Sequence, residues 1–354
     1  MLLSKALFMK YKSPHPKKLF DEEFRLEKLT VQNDPLVKLS ERIDFELFRP
    51  LLEEALNKEP KGTGGARPYD YVMMFKILIL QRYYNISDDK MEFSILDRLS
   101  FMRFLGLTLS DKVPDAKTIW FFREHLTGKG ITEQLFKRFS EELKTKGLIA
   151  NEGKIVDASF VEVPIQRNSR EENKQIKQGE VPEQWKEKPH QLSQKDIDAR
   201  WTKKNGKSYY GYKDHIKVDE KSKLIDTYTV TDASVHDSQE TEPLLSEKDK
   251  GQPLHADSAY RSEEIETMLN EKEMVSHIHE KGYRDNPLTQ EQKENNRVKS
   301  KTRARVEHVF GFIENSMNGS FIRTIGIRRA AAVVGLMNLT YNIFRAIQLG
   351  YSSA

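Results

Sequence analysis

Between Phe45 and Leu148 the apolar residues recur at helical spacing. Val72, Phe75, Ile79 and Tyr83, for example, are three and four residues apart and share one face. Breaks fall at the glycine-rich KGTGGARP (61–68), at 85–89 and at 110–115, where Asp115 is placed to cap a helix starting near Lys117. The pattern predicts an all-helical region of roughly five helices. At Lys154 the period changes from 3.6 to 2. KIVDASFVEV, SYYGYKDHIKVD and LIDTYTVTD are rich in β-branched and aromatic residues and are separated by polar turns, which predicts three strands in an antiparallel meander. A helix over 237–245 follows, then the short strand PLHAD, a helix over 262–273 and the strand MVSHIH. A polar helix from Thr302 to about Asn315 and a long amphipathic helix close the chain.

The order β-β-β-α-β-α-β-α is that of a ribonuclease H-like fold. The expected architecture is therefore α/β, a mixed sheet with flanking helices over 151–354, preceded by an all-helical domain over 45–150. Residues 168–207 are dominated by Glu, Lys, Gln and Asn, and read as an exposed insertion, partly helical or disordered. Residues 1–44 read as a basic arm: five lysines precede the first acid, Asp21, and Pro14, Pro16 and Pro35 argue against continuous regular structure.

Composition narrows the chemistry. The 354 residues carry 58 Lys+Arg against 54 Asp+Glu, a net charge of only +4, so contact with a polyanion must rest on local patches rather than on the total. The absence of cysteine excludes disulfides, thiolate zinc sites and cysteine nucleophiles, and fits a reducing compartment. The apolar run near the N-terminus is interrupted by Lys5, and the stretch 330–349 carries Asn338, Asn342 and Arg345. Neither reads as a secretory or membrane segment, and the expectation is a cytoplasmic protein with no membrane partner.

Three acids stand out. Asp157 sits inside an apolar strand, where an ionised carboxylate is costly unless paired or coordinated. Asp257 ends the strand PLHAD just before a helix, and strand ends are where open α/β sheets place ligands. Glu307 lies on a helix that Val306, Val309, Phe310 and Ile313 make half-buried. Each alone is ordinarily an ion pair or a cap. Together, on the first strand, the fourth strand and a following helix, they form a donor set suited to Mg²⁺, which takes hard oxygen ligands and shares them with substrate phosphates.

The segments KIVDASFVEV, GYKDHIKVD, VTDASVHDS, HADSAYRSEE and RARVEHVFGFIEN resemble, in this order, the catalytic domain of DDE transposases from bacterial insertion sequences of the insertion-sequence-five family. LFRPLLEEAL, RPYDYVMMFKILILQRYYNISD and VPDAKTIWFFREHL resemble the helical domain that precedes it, and the likeness spans roughly 45–345. The resemblance implies that Asp157, Asp257 and Glu307, spaced by 100 and 50 residues, are the catalytic and metal-binding triad for two Mg²⁺ ions, with Mn²⁺ as a substitute. It further implies cleavage at terminal inverted repeats and strand transfer into target DNA by a homodimer or higher oligomer in the bacterial nucleoid. A nuclease that never joins strands, or a DNA-binding protein that has lost catalysis, are the alternatives. In a related insertion-sequence group a Tyr, Arg, Glu and Lys surround the glutamate. Here Arg303 and Glu307 match, while Ser300 and Glu314 take the Tyr and Lys positions, and Glu314, seven residues on, is the rival third carboxylate.

Other residues carry a functional and an ordinary reading side by side. Lys213 and His215 alternate on one strand face, either reaching a phosphate or lying on a solvated edge strand. Asp237, with Glu240 three residues later, reads as a helix N-cap in preference to a metal ligand beside His236. Arg297, Lys299, Lys301, Arg303 and Arg305 form a run without an acid, expected to touch the DNA backbone, and Arg323, Arg328 and Arg329 extend that surface. The helix of PDAKTIWFFREHL has the length and cap of a recognition helix. Lys117 and Arg123 are expected on its exposed face, and Trp120 and Phe121 are candidate core residues.

Overall fold

The structure, a computed structural model, describes residues 20–56, 67–204 and 206–353. Among the described residues eight α-helices occupy the first part: α1 (Asp21–Val31), α2 (Pro35–Arg42), α3 (Arg49–Leu56), α4 (Tyr71–Tyr84), α5 (Asp88–Asp97), α6 (Leu99–Leu105), α7 (Ala116–Gly128) and α8 (Ile131–Thr145). The starts of α2, α4, α5 and α7 are set by short polar side chains that accept from first-turn amides: Asp34 from Leu36, Asp70 from Met73, Ser87 from Lys90 and Asp115 from Thr118. α4 is apolar on almost every side, since it is wrapped by α3, α5, α6 and α7.

Residues 1–19 lie outside the described residues, but the rest of the expected basic arm is folded. Pro35 starts α2 instead of breaking it, because a proline at the first helical position forfeits no hydrogen bond. Leu36 and Leu39 of that helix enter the core, and Arg103 ties α1 down through Leu26 O, Thr30 Oγ1 and Asp34. Most of the glycine-rich break at 61–68 also falls outside the described residues.

The second part alternates strands and helices: β1 (Lys154–Glu162), α9 (Arg170–Lys177), α10 (Glu183–Lys186), α11 (Pro189–Leu192), β2 (Arg200–Lys204), β3 (Lys207–Asp219), β4 (Ile225–Asp232), α12 (Thr241–Leu244), β5 (Pro253–Ala256), α13 (Glu263–Glu271), β6 (Val275–Ile278), α14 (Gln290–Arg303), α15 (Arg305–Gly311) and α16 (Ile327–Gln348). The sheet runs β4-β3-β1-β5-β6, antiparallel across β4, β3 and β1 and parallel across β1, β5 and β6, with β2 pairing the first residues of β3. This is the expected mixed α/β arrangement. Gly211 lies where β1, β2 and β4 meet β3. Its φ of +148° and the 2.3 Å between a built Cβ and Val161 O leave room for no side chain.

Three differences from the sequence pattern have physical causes. The polar insertion is anchored: Trp185 is buried and donates to Glu172, and Asp196 accepts from the Tyr212 hydroxyl and the Gly326 amide. The helix expected to begin near Thr302 starts at Gln290 instead, capped by Thr289 with Gln292, and its polarity had hidden it. Finally, the helical part shares its core with part of the sheet, while a second cluster, from Val156 and Leu254 to Leu269 and Ile278, lies between the sheet and α13. One apolar cluster runs from Leu36 to Tyr351, because α16 packs against α2, α4, α7 and α8 as well as β3 and β4. Asn342 pins it by exchanging two hydrogen bonds with the Ile225 backbone. Among the described residues α16 is the one helix long and apolar enough to cross a membrane, and 78% of its apolar window is buried inside the protein.

Candidate active site

β1 lies at the centre of the sheet, and its parallel pairing with β5 ends at Ile155 and His255. Beyond that point the two strands part, and Asp157 and Asp257 follow on the same face. Asp257 caps the turn Ser258–Tyr260 by accepting from Ala259 N at 2.7 Å. Asp157 accepts from Ala158 N at 2.9 Å and from Arg303 Nη1 at 2.7 Å. Arg303, the last residue of α14, also donates through Nη2 to Glu307 Oε1 on α15 at 3.3 Å. All four side chains line one cleft of about 680 Å³, together with Ser159, Phe160, Lys204, Lys207, Tyr209 and Glu314.

Burial raises the Asp157 carboxyl to about 6. Arg303 and the Ala158 amide oppose that rise, and the nearby negative charges of Asp257 and Glu307 add to it. The three carboxylates are thus close enough to feel one another. Among the described residues, however, no three acidic or histidine side chains are already gathered as a metal shell. The Arg303 guanidinium supplies the positive charge between Asp157 and Glu307. Tyr260 adds a second sign of an incomplete site: its hydroxyl is buried, has no partner, and is pushed up by burial and by Asp157, Asp237 and Asp257. A hard-oxygen donor set beside an unpartnered buried hydroxyl fits a divalent cation.

Residues 150–343, more than half of the chain, match the family model of the transposase DDE domain, and 24–125 match a model described as a transposase domain. The chain belongs to the DDE transposase family. It is a DNA transposase, an enzyme that cuts and joins DNA, and its family works with divalent metal ions. Among solved structures it resembles a piggyBac transposase in a synaptic complex with hairpin DNA, at 13% identity and a TM-score of 0.43, covering 91% of this chain and 77% of that one. So distant a likeness transfers no residue role.

In the transposase several residues read from the sequence as DNA contacts are turned inward. β3 is central in the sheet, not an edge strand. Lys213 is consequently buried, donating to Val235 O at 2.6 Å and Asp237 Oδ1 at 2.7 Å. His215 is fully buried against Thr231, and burial lowers it to about 4, so it is neutral at physiological pH. Neither is presented to a phosphate. Asp237 is not the cap: the His236 ring accepts from Ser238 N, and Asp237 serves as the counter-ion of Lys213. Arg123 faces inward as well, gripping Asp88 at 2.6 and 2.8 Å and Gln81 at 3.0 Å.

Lys117 is exposed on α7 beside Phe121. Trp120 and Phe121 are exposed too, while Ile119 and Phe122 make the core contact. Of the basic run, Arg297 pairs with Glu294, Lys299 with Glu280, and Arg305 reaches Glu220 O while staying partly exposed. Arg329 pairs with Glu124.

The aromatic and lysine part of the cleft lining was not anticipated. Tyr209 stacks on Phe160 with centroids 4.1 Å apart, Lys207 lies 4.6 Å from the Tyr209 ring, and Lys204 reaches over Phe160. Alternation in a strand does not distinguish such a lining from an ordinary core face, so the sequence carried no specific signal for it. Glu314, the rival acid, is also here, on a π-turn (Phe312–Ser316), accepting from Ser159 Oγ at 3.0 Å.

Proposed function

We propose that Asp157, Asp257 and Glu307 hold two Mg²⁺ ions, for which Mn²⁺ substitutes, and that the transposase uses them to cut at the terminal inverted repeats of a bacterial insertion sequence and to join the freed ends to target DNA. What carries this reading is the convergence on one cleft of three carboxylates separated by 100 and 50 residues, bridged in part by a single guanidinium. The ions would supply charge neutralisation for the attacking and leaving oxygens of an in-line displacement at phosphorus.

The chain's own residues do the rest. Asp157 and Asp257, held by the Ala158 and Ala259 amides, are fixed in orientation before any substrate arrives. Arg303 neutralises Asp157 until a cation takes over, then becomes available to a phosphate. Lys204 and Lys207 line the path of a DNA strand through the cleft. In the first step a water oxygen bonds to phosphorus and the 3′ oxygen leaves as a hydroxyl; in the second that hydroxyl attacks a target phosphodiester, whose own 3′ oxygen leaves.

The helical part, residues 45–150, is read as the end-binding domain with Lys117 at its surface, Arg305 as a backbone contact beside the cleft, and a homodimer or larger assembly as the working form, since two ends are processed together. An enzyme of this kind acts where the bacterial chromosome lies, in the cytoplasm.

The test is nicking of a plasmid carrying the element's ends. Asp157→Asn, Asp257→Asn and Glu307→Gln should each abolish Mg²⁺-dependent cleavage while end binding survives, and Glu314→Gln should retain it. Cleavage by Glu307→Gln together with its loss in Glu314→Gln would transfer the third position to Glu314, which Ser159 orients. Cleavage of ends without joining of pre-cut ends would leave a nuclease.

A further inference from the structure

A second polar cleft, of about 440 Å³, opens where the end of α4 and the start of α5 meet the strap that leads into α16. It shares no lining residue with the carboxylate cleft. Four cationic side chains line it, Arg82, Lys90, Arg123 and Arg323, against one carboxylate, Asp88. That carboxylate is already committed, with both oxygens on Arg123 and one also accepting from Gln81. Arg82 is left without a hydrogen-bonded counter-ion. Although the residue is only half-buried, its Nε is shut off from solvent and has no partner, and Thr324 Oγ1 on the facing strap is buried and equally unpartnered. Burial and the Arg123 charge push the guanidinium down to about 10. A half-buried guanidinium with a shut-off, unpartnered Nε, opposed by the Arg123 charge and offset only at a distance by Asp88, is a costly residue to keep in a helix where an apolar one would pack freely.

We propose that this cleft is a phosphoryl-binding site, in which Arg82 and Thr324 grip the oxygens of a phosphate group and Lys90 and Arg323 screen its remaining charge. The guanidinium fork matches two phosphate oxygens at once, and a threonine hydroxyl donates to a third. Because Arg82 belongs to the helical part and Thr324 to the strap of the catalytic part, the occupant ties the two together. A backbone phosphate of DNA and a free phosphate or nucleotide share this chemistry. The inference does not use the carboxylate assignment, and either can fail alone.

The experiment uses the full chain. Thermal melts in inorganic phosphate are compared with chloride at matched ionic strength, for wild type, Arg82→Met and Thr324→Val. Wild type should gain roughly 2 °C or more at about 20 mM phosphate, and the gain should vanish in Arg82→Met and shrink in Thr324→Val. Should Arg82→Met fail to fold, Arg82→Lys takes its place, keeping the charge but losing the fork, with most of the gain lost. No phosphate-specific gain in wild type, or an equal gain in the Arg82 variant, overturns the site. A duplex oligonucleotide then separates the sources. If DNA is the occupant, the slope of log affinity against log salt falls by about one in the Arg82 variant. An unchanged slope together with a lost phosphate gain assigns the cleft to a free phosphate or nucleotide.

Discussion

Replacing Arg303 with glutamine should make the transposase bind divalent metal more tightly in the absence of DNA, even though the change removes a charged residue from the site. Arg303 donates to Asp157 Oδ2 at 2.7 Å in a pair whose side chains are only 24% and 11% exposed, so a cation approaching Asp157 must displace it. A charged hydrogen bond of this burial is worth about 1.5–3 kcal/mol, while the second contact, to the exposed Glu307 side chain, adds little. Released from that competition, Mn²⁺ or Mg²⁺ should bind roughly ten- to hundredfold more tightly to Arg303→Gln in calorimetric titration. Plasmid nicking should nevertheless fall, because the guanidinium is no longer there for the phosphate. Equal or weaker metal binding by Arg303→Gln would show that Arg303 supports the carboxylates instead of standing in for a cation. Arg303→Lys separates charge from geometry, and its metal affinity should lie between the two.

The buried Asp214 carboxyl, raised to about 7 by burial with only the Asn338 amide opposing, holds its proton more tightly in the folded state than in the unfolded one. Stability should therefore fall as pH rises from about 4 to about 7, by on the order of 2–4 kcal/mol, and urea denaturation of Asp214→Asn should show that slope flattened and a higher midpoint at pH 8. Gly211→Ala, which must fit a Cβ 2.3 Å from Val161 O at a φ of +148°, should cost about 3 kcal/mol or more and lower the yield of folded protein. A thermal shift within a degree of wild type would show that the junction of β1, β2 and β3 yields easily. Arg123→Ala should lose stability before it loses DNA affinity, since it leaves the part-buried Asp88 without its ion pair, held by Gln81 alone; unchanged melting with lost footprint protection would return Arg123 to the DNA surface.

Much of the architecture follows from local pattern. The change of period at Lys154, the cap at Asp115, and the isolated acids at 157 and 257 are properties of short segments, and they yield the helical first part, the order of strands along the chain and two of the three proposed carboxylates. Glu307 was legible for the same reason, as an acid on a helix with an apolar face. Side-chain direction was not legible. Whether Lys213 and His215 meet solvent depends on Val235, Asp237 and Thr231 meeting them from distant positions, and whether Arg123 points outward depends on Asp88 of α5 lying against α7. Arg303 read as a DNA contact from its place in a basic run, and only the convergence of α14, β1 and α15 sets it against Asp157. Pairing of this kind joins residues 146 positions apart, and no local periodicity encodes it. Local pattern determines which segments bury an apolar face; the way those faces stack decides which charges are left to neutralise one another, and therefore where the chemistry is.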